Sequence, residues 1–150
     1  MTLPYSTATS GKGALEEAKR TLEKFGAGSF GYMEDFDEGT LTVQFKWRDR
    51  RVTISASAKG YAAAYLREKP HTNRMRHSRG DHEKRALKQG QIAVCSILRD
   101  WIKGQITAVE CGMLSFDGAF LGQIMLANGG TVLELVEAKK LLALRHETAE

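Results

Sequence analysis

Between Leu87 and Met113 apolar side chains return at helical spacing for about seven turns, at Leu87, Val94, Leu98, Trp101, Ile102, Ile106, Val109 and Met113. The stripe is wider than a coiled-coil seam, so one neighbour cannot cover it. It therefore predicts the central helix of a core, with cover supplied by the rest of the chain or by a second copy. Asp81 is placed to cap this helix, and Glu83 in its first turn complements the helix dipole. Gly90 and Gly104 interrupt the pattern at a cost of about 1 kcal/mol each relative to Ala, which marks a kink or a close helix crossing.

Upstream the period is different. Leu15, Ala18, Leu22 and Phe25 give an amphipathic helix over residues 14–25, stopped by Gly26. Leu41, Val43, Phe45 and Trp47 then alternate with Thr42, Gln44, Lys46 and Arg48, and Val52, Ile54 and Ala56 repeat the alternation after a short polar connection. This is an antiparallel hairpin, with Phe30 to Glu34 as a third strand. Ser57 caps a helix from Ala58 through Leu66 that Pro70 terminates. Downstream, Phe116, Phe120, Leu121, Ile124 and Leu126 fold back over the long helix, and Thr131 with Glu134 is a capping box for a last helix through Leu144. The expected fold class is α+β, a small antiparallel sheet (hairpin plus one strand) packed against a long central helix with further C-terminal helices. Residues 14–145 are expected to form one such domain, between a flexible N-terminus (1–13) and a flexible C-terminus (146–150).

Charge is unevenly distributed. Residues 67–88 hold eight Lys or Arg and three Asp or Glu, a net +5, while the whole chain carries +4. A concentrated positive segment beside a near-neutral body suits phosphates or an acidic protein surface. Arg74, Arg76, Arg79, Lys84, Arg85 and Lys88 are the candidate nucleic-acid contacts, for DNA or RNA, and Arg48, Arg50 and Arg51 at the hairpin tip are placed to extend the same surface. A host protein is the other partner considered, and a solvated loop with no partner gives the same charge run.

Several chemistries are not encoded. The N-terminal residues lack a positive start and apolar run, and no stretch approaches the roughly 18 apolar residues of a membrane span, so no membrane association and a cytoplasmic location are expected. Cys95 and Cys111 lie sixteen positions apart on the long helix, roughly 24 Å, which excludes a bond between them and predicts two buried thiols. His71, His77, Asp81 and His82 match no compact ligand spacing, so neither metal nor cofactor is expected and the histidines are read as satisfied surface residues. Ser10, Gly11, Lys12 and Gly13 lack the first glycine, the closing Ser or Thr and the preceding strand of a phosphate loop. Asp35, Gln44 and Lys46 form a reduced version of a metal-dependent nuclease constellation, short of a second carboxylate, and stand as a further alternative.

The order helix, three strands, helix over residues 14–69 is similar to that of double-stranded-RNA-binding domains, although the second helix offers only Lys59 where that family places a basic cluster. More of the chain, about residues 30–136, resembles small uncharacterised proteins of bacteriophages, prophages and other mobile elements. The resemblance rests on Ala108, Val109, Glu110, Gly112, Phe116, Phe120, Leu121 and the Gly130, Thr131, Val132 turn, with the hairpin FKWRDRRVTI upstream. It implies a phage-type origin and carries over no catalytic or binding residue. The resulting expectation is a non-enzymatic accessory protein that binds nucleic acid, or else a module that inhibits a host enzyme or defence complex.

Overall fold

The structure is a computed structural model that describes residues 2–143. It is an α+β fold. In chain order the elements are α1 (Gly11–Phe25), β1 (Ser29–Asp35), β2 (Thr40–Trp47), β3 (Arg50–Ser57), α2 (Ala58–Glu68), α3 (Arg79–Glu110), α4 (Phe116–Phe120), which continues as a 3-10 turn at Leu121–Gln123, and α5 (Val132–Ala138).

The strands form one antiparallel sheet in the order β1-β2-β3. Trp47 pairs with Arg50, leaving a two-residue turn of Arg48 and Asp49. Arg48 adopts a left-handed backbone (φ 55°), and its guanidinium lies 4.2 Å from the centre of the Trp47 ring. Alternation along β2 turns Leu41, Val43 and Phe45 inward, where Val52 of β3 joins them. α1 and α3 cover this face together. Leu15, Ala18 and Leu22 meet Val94, Leu98, Ile102 and Ile106 in the buried core. Full burial of each larger side chain, such as Phe45, Phe120, Leu22 and Ile102, contributes about 1.5–3 kcal/mol.

α3 runs for 32 residues. Its first half lies along α2, with Gly90 against the backbone of Ala58 and His82 beside Tyr65. Its second half runs over the sheet toward the hairpin tip, where Trp101 and Phe45 both meet Phe120 edge-on and Phe116 stacks on Trp47 at 4.4 Å. The β3 edge is partly covered by a bridge from Val52 to Ile124. Among the described residues the outer edge of β1 has no strand partner.

The helix starts that differ from expectation, those of α1 and α3, do so for one reason. Each α-helix opens on a Ser or Thr whose hydroxyl accepts the backbone N–H three residues on: Ser10 from Gly13, Ser57 from Gly60, Ser78 from Asp81, Ser115 from Gly118 and Thr131 from Glu134. α1 therefore starts at Gly11, and the Ser10–Gly13 run is its first turn. The segment before it makes defined hydrogen bonds: Gln89 Nε2 donates to the carbonyls of Tyr5 and Ala8, and the hydroxyls of Tyr5 and Tyr61 donate to Asp100 and to the Pro4 carbonyl. α3 starts at Arg79 with Ser78 as its cap, while Asp81, expected as the cap, occupies the third helical position. At the other end α3 stops at Glu110, so Met113 leaves the stripe and is exposed. Cys111, expected to be buried, is exposed at the helix end, and only Cys95 is buried. α5 ends at Ala138, short of the expected boundary; Leu144 and residues 146–150 lie outside the described residues.

Candidate nucleic-acid interface

The segment between α2 and α3 is short and defined. Lys69 closes α2 by donating its N–H to Tyr65, Met75 donates to the Thr72 carbonyl in a turn, and Ser78 opens α3. Arg74 and Arg76 project from the connection and are exposed. Arg79, read with Arg74 and Arg76 as a candidate contact, is the first residue of α3. Lys84, Arg85 and Lys88 are exposed on the same helix. At about 100° per residue they fall within an arc of roughly 100°, opposite the buried His82, Ala86, Gly90 and Ala93. The arc also holds Asp81. None of these six cations forms an ion pair of 4.0 Å or less among the described residues, where the salt bridges involve only Arg50 and Arg99 as cations.

The hairpin-tip arginines do not extend this surface. His82 marks the α2 end of α3 through its bond to the Lys69 carbonyl, and Gln105 marks the tip end through its bond to the Ala119 carbonyl. Twenty-three residues of continuous helix put these ends roughly 35 Å apart. Arg50 is also committed elsewhere. Its Nε and Nη2 both donate to the Asp117 carboxylate at 2.8 Å, and that guanidinium holds the Asp117 carboxyl below its usual range. Arg48 lies over Trp47, and Arg51 faces Lys46 directly across the strands, a like-charge pair on the open face of the sheet.

The nuclease constellation is not assembled. Gln44 pairs with Gly31 and Lys46 with Ser29, whereas Asp35 pairs with Thr40 at the far end of β1. Four residues of extended chain, roughly 13 Å, separate Asp35 from the position opposite Gln44. Asp35 instead accepts the Glu38 N–H in the following turn, and Gln44 donates to Thr53.

The histidines are the group that sequence spacing missed. His71, His77 and His82 come together, with ring centres 5.0–5.9 Å apart. His82 is buried at 4% exposure, so it is not a surface residue. Its Nε2 meets the Lys69 carbonyl at 2.7 Å, its Nδ1 meets His77 Nε2 at 2.9 Å, and His71 Nε2 meets the His77 carbonyl at 2.9 Å. No group of three or more His, Cys, Asp or Glu among the described residues is arranged to hold a metal ion. A signal was present in the sequence: His82 lies four residues before Ala86 and eight before Gly90, which continues the buried face of α3 backward by one turn.

No helix among the described residues is long and apolar enough to cross a membrane. No protein-family model, curated protein or solved structure matches this chain.

Proposed function

We propose that the protein is a non-enzymatic nucleic-acid-binding accessory protein of a phage or mobile element, and that its contact surface is the α2–α3 connection with the outer face of the first turns of α3. What supports nucleic-acid binding is a single observation: Arg74, Arg76, Arg79, Lys84, Arg85 and Lys88 are exposed, with no acidic partner within ion-pair distance among the described residues. Cations left free in this way can exchange solvent counterions for phosphates, and released counterions drive binding without base contacts. The test is fluorescence anisotropy with DNA and RNA duplexes and single strands over a range of salt. Six phosphate contacts give a limiting log–log slope of about −5 on duplex DNA. Reversing Arg74, Arg76 and Arg79 to Glu is expected to abolish binding, while the same change at Arg48 and Arg51 leaves it near the original. Absence of binding to any of these ligands at low salt overturns the proposal.

A second reading, a module that binds a host protein, has its own support. Tyr32, Met33 and Phe36 are exposed on and beside the β1 edge, which has no strand partner among the described residues and where an extended segment of another protein could add a strand. Capture of a host protein that survives nuclease treatment and is lost in a Met33→Lys, Phe36→Lys variant would favour it.

A further inference from the structure

We infer that His71, His77 and His82 form a proton-operated latch, closed at neutral pH to hold residues 69–78 against α3 and opened when the histidines become charged. The latch is a property of the fold and does not depend on what the segment binds.

Proton positions in the closed state follow from the acceptors. A carbonyl oxygen can only accept, so the nitrogens facing the Lys69 and His77 carbonyls both carry hydrogen: His82 Nε2 donates to the first and His71 Nε2 to the second. Neutral His82 then has a bare Nδ1, which accepts from His77 Nε2–H at 2.9 Å. The chain of bonds is complete with all three imidazoles neutral, and it joins the end of α2, the connection and the buried face of α3. No buried side-chain nitrogen or oxygen among the described residues lacks a partner.

Acid acts at the junction between His77 and His82. Only one proton fits between their facing nitrogens. A singly charged pair keeps the bond, but a doubly charged pair sets two N–H groups against each other at 2.9 Å, with ring centres 5.0 Å apart. The surroundings oppose even the first charge. Partial burial holds His77 below its ordinary value of 6.5, and Arg85, His82 and His71 add to this against a smaller opposing effect of Asp81. From α2 the neighbours are the Tyr65 ring, 6.4 Å from His82, and Lys69, whose ammonium lies over Tyr65. Neither is an anion at neutral pH.

The sign follows from linkage. Because His77 takes its proton less readily when folded, its contribution is present in full above about 6.5 and is lost as pH falls through the lowered folded value. The closed pair holds at most one proton and the open pair takes two, so opening takes up between one and two protons. The opening equilibrium should therefore rise about 10- to 100-fold per pH unit below the ordinary histidine range.

Hydrogen exchange read by mass spectrometry at several pH values between 7.5 and 5.0, normalised for intrinsic rates, tests this on the intact protein. Peptides covering residues 66–78 are expected to lose protection with that steepness, while peptides from the middle of α3 do not change. In His77→Gln the side-chain amide can still donate to His82 but cannot titrate, so protection should persist at pH 5.0. His82→Gln should leave the segment open at both extremes; if that variant does not fold, the half-buried position 77 still decides. Equal protection at pH 7.5 and 5.0 overturns the latch, as does an unchanged pH response in His77→Gln. Acid-resistant protection produced by equimolar Zn²⁺ also overturns it, by showing that the trio closes on a metal and not on hydrogen bonds alone.

Discussion

Replacing Gly90 with Ala adds one methyl group at the point where α3 crosses α2, and there it has nowhere to go. A Cβ on residue 90 would overlap the carbonyl oxygen of Ala58 and crowd the Ala58 carbonyl carbon and the Ala62 nitrogen, all of them backbone atoms that no rotamer change can move. The substitution brings a helix-propensity gain of about 1 kcal/mol. Against it stands the cost of forcing two packed helices apart at a site lined by buried Ala58, Ala62 and Ala86, about 1–3 kcal/mol for an overpacked core. The expected net effect is a destabilisation of up to about 2 kcal/mol. Gly104 is the internal control. It lies in the interior of the same helix, exposed, and a methyl group added there would meet nothing within 4 Å, so Gly104→Ala should stabilise by about 0.5–1 kcal/mol. Urea unfolding followed by circular dichroism should thus place the Gly90→Ala midpoint below that of Gly104→Ala with unchanged slope, and thermal unfolding should separate the two by about 1–12 °C. If Gly90→Ala is stabilised as much as Gly104→Ala, α2 and α3 do not cross at this distance and the reasoning fails.

Other outcomes follow from single sites. Cys111 is exposed and Cys95 is buried with its thiol pushed up to about 11, so a thiol reagent at pH 8 should modify one cysteine quickly and the other only on unfolding. The Arg50 guanidinium lowers the Asp117 carboxyl below its usual 3.8, so the pair contributes stability above that value and loses it as pH falls through the lowered folded value; Asp117→Asn should flatten this acid limb of the stability profile, and high salt should weaken the coupling. Thr131→Ala removes the hydroxyl half of the α5 capping box and should cost about 1 kcal/mol, read as faster amide exchange confined to α5, since no residue of that helix is buried.

Period and burial made most of the architecture legible. Leu41, Val43 and Phe45 alternate because one face of the sheet is covered, and Val94, Leu98, Ile102 and Ile106 recur because α3 is the covering element. Helix starts were legible only in part. Thr131 stands directly before an apolar run and Ser57 before an Ala-rich one, whereas Ser10 and Ser78 are followed within two residues by a glycine and a cation, with no apolar run to mark a start. Gly13 serves the cap of α1, since a Cβ there would lie 2.7 Å from the Ser10 hydroxyl, and Gly118 does the same at 3.0 Å from that of Ser115, whereas a Cβ at Gly80 would lie in ordinary contact, 3.8 Å from the Ser78 hydroxyl. Of the candidate surface, the free cations were legible as composition. The commitment of Arg50 to Asp117 was not, because the two are 67 residues apart in sequence. The histidine trio was hidden for a similar reason, since bonds through backbone carbonyls leave no side-chain spacing to recognise.

The two ends of α3 are held by different physics, and this decides which end can respond to its surroundings. At the hairpin tip Phe116, Phe120, Trp101, Trp47 and Phe45 interlock, and each aromatic pair adds about 0.5–1.5 kcal/mol beyond the area it buries. That packing is insensitive to pH, and the Arg50–Asp117 bond beside it yields only below the usual carboxylate range. At the other end small alanines pack α2 against α3, and three imidazoles make the side-chain bonds that hold the connection, each worth about 0.5–1.5 kcal/mol while neutral. Carboxylate partners would hold the arginines of residues 67–88 more firmly, but they would cancel the charge available to a phosphate. Neutral imidazoles tie the segment without cancelling any of its +5, and full protonation would break the tie while raising that charge to +8. Release of the segment and its attraction to polyanions should therefore rise together as pH falls, so affinity for nucleic acid should be greater near pH 5.5 than at pH 7.5, and the difference should shrink in His77→Gln.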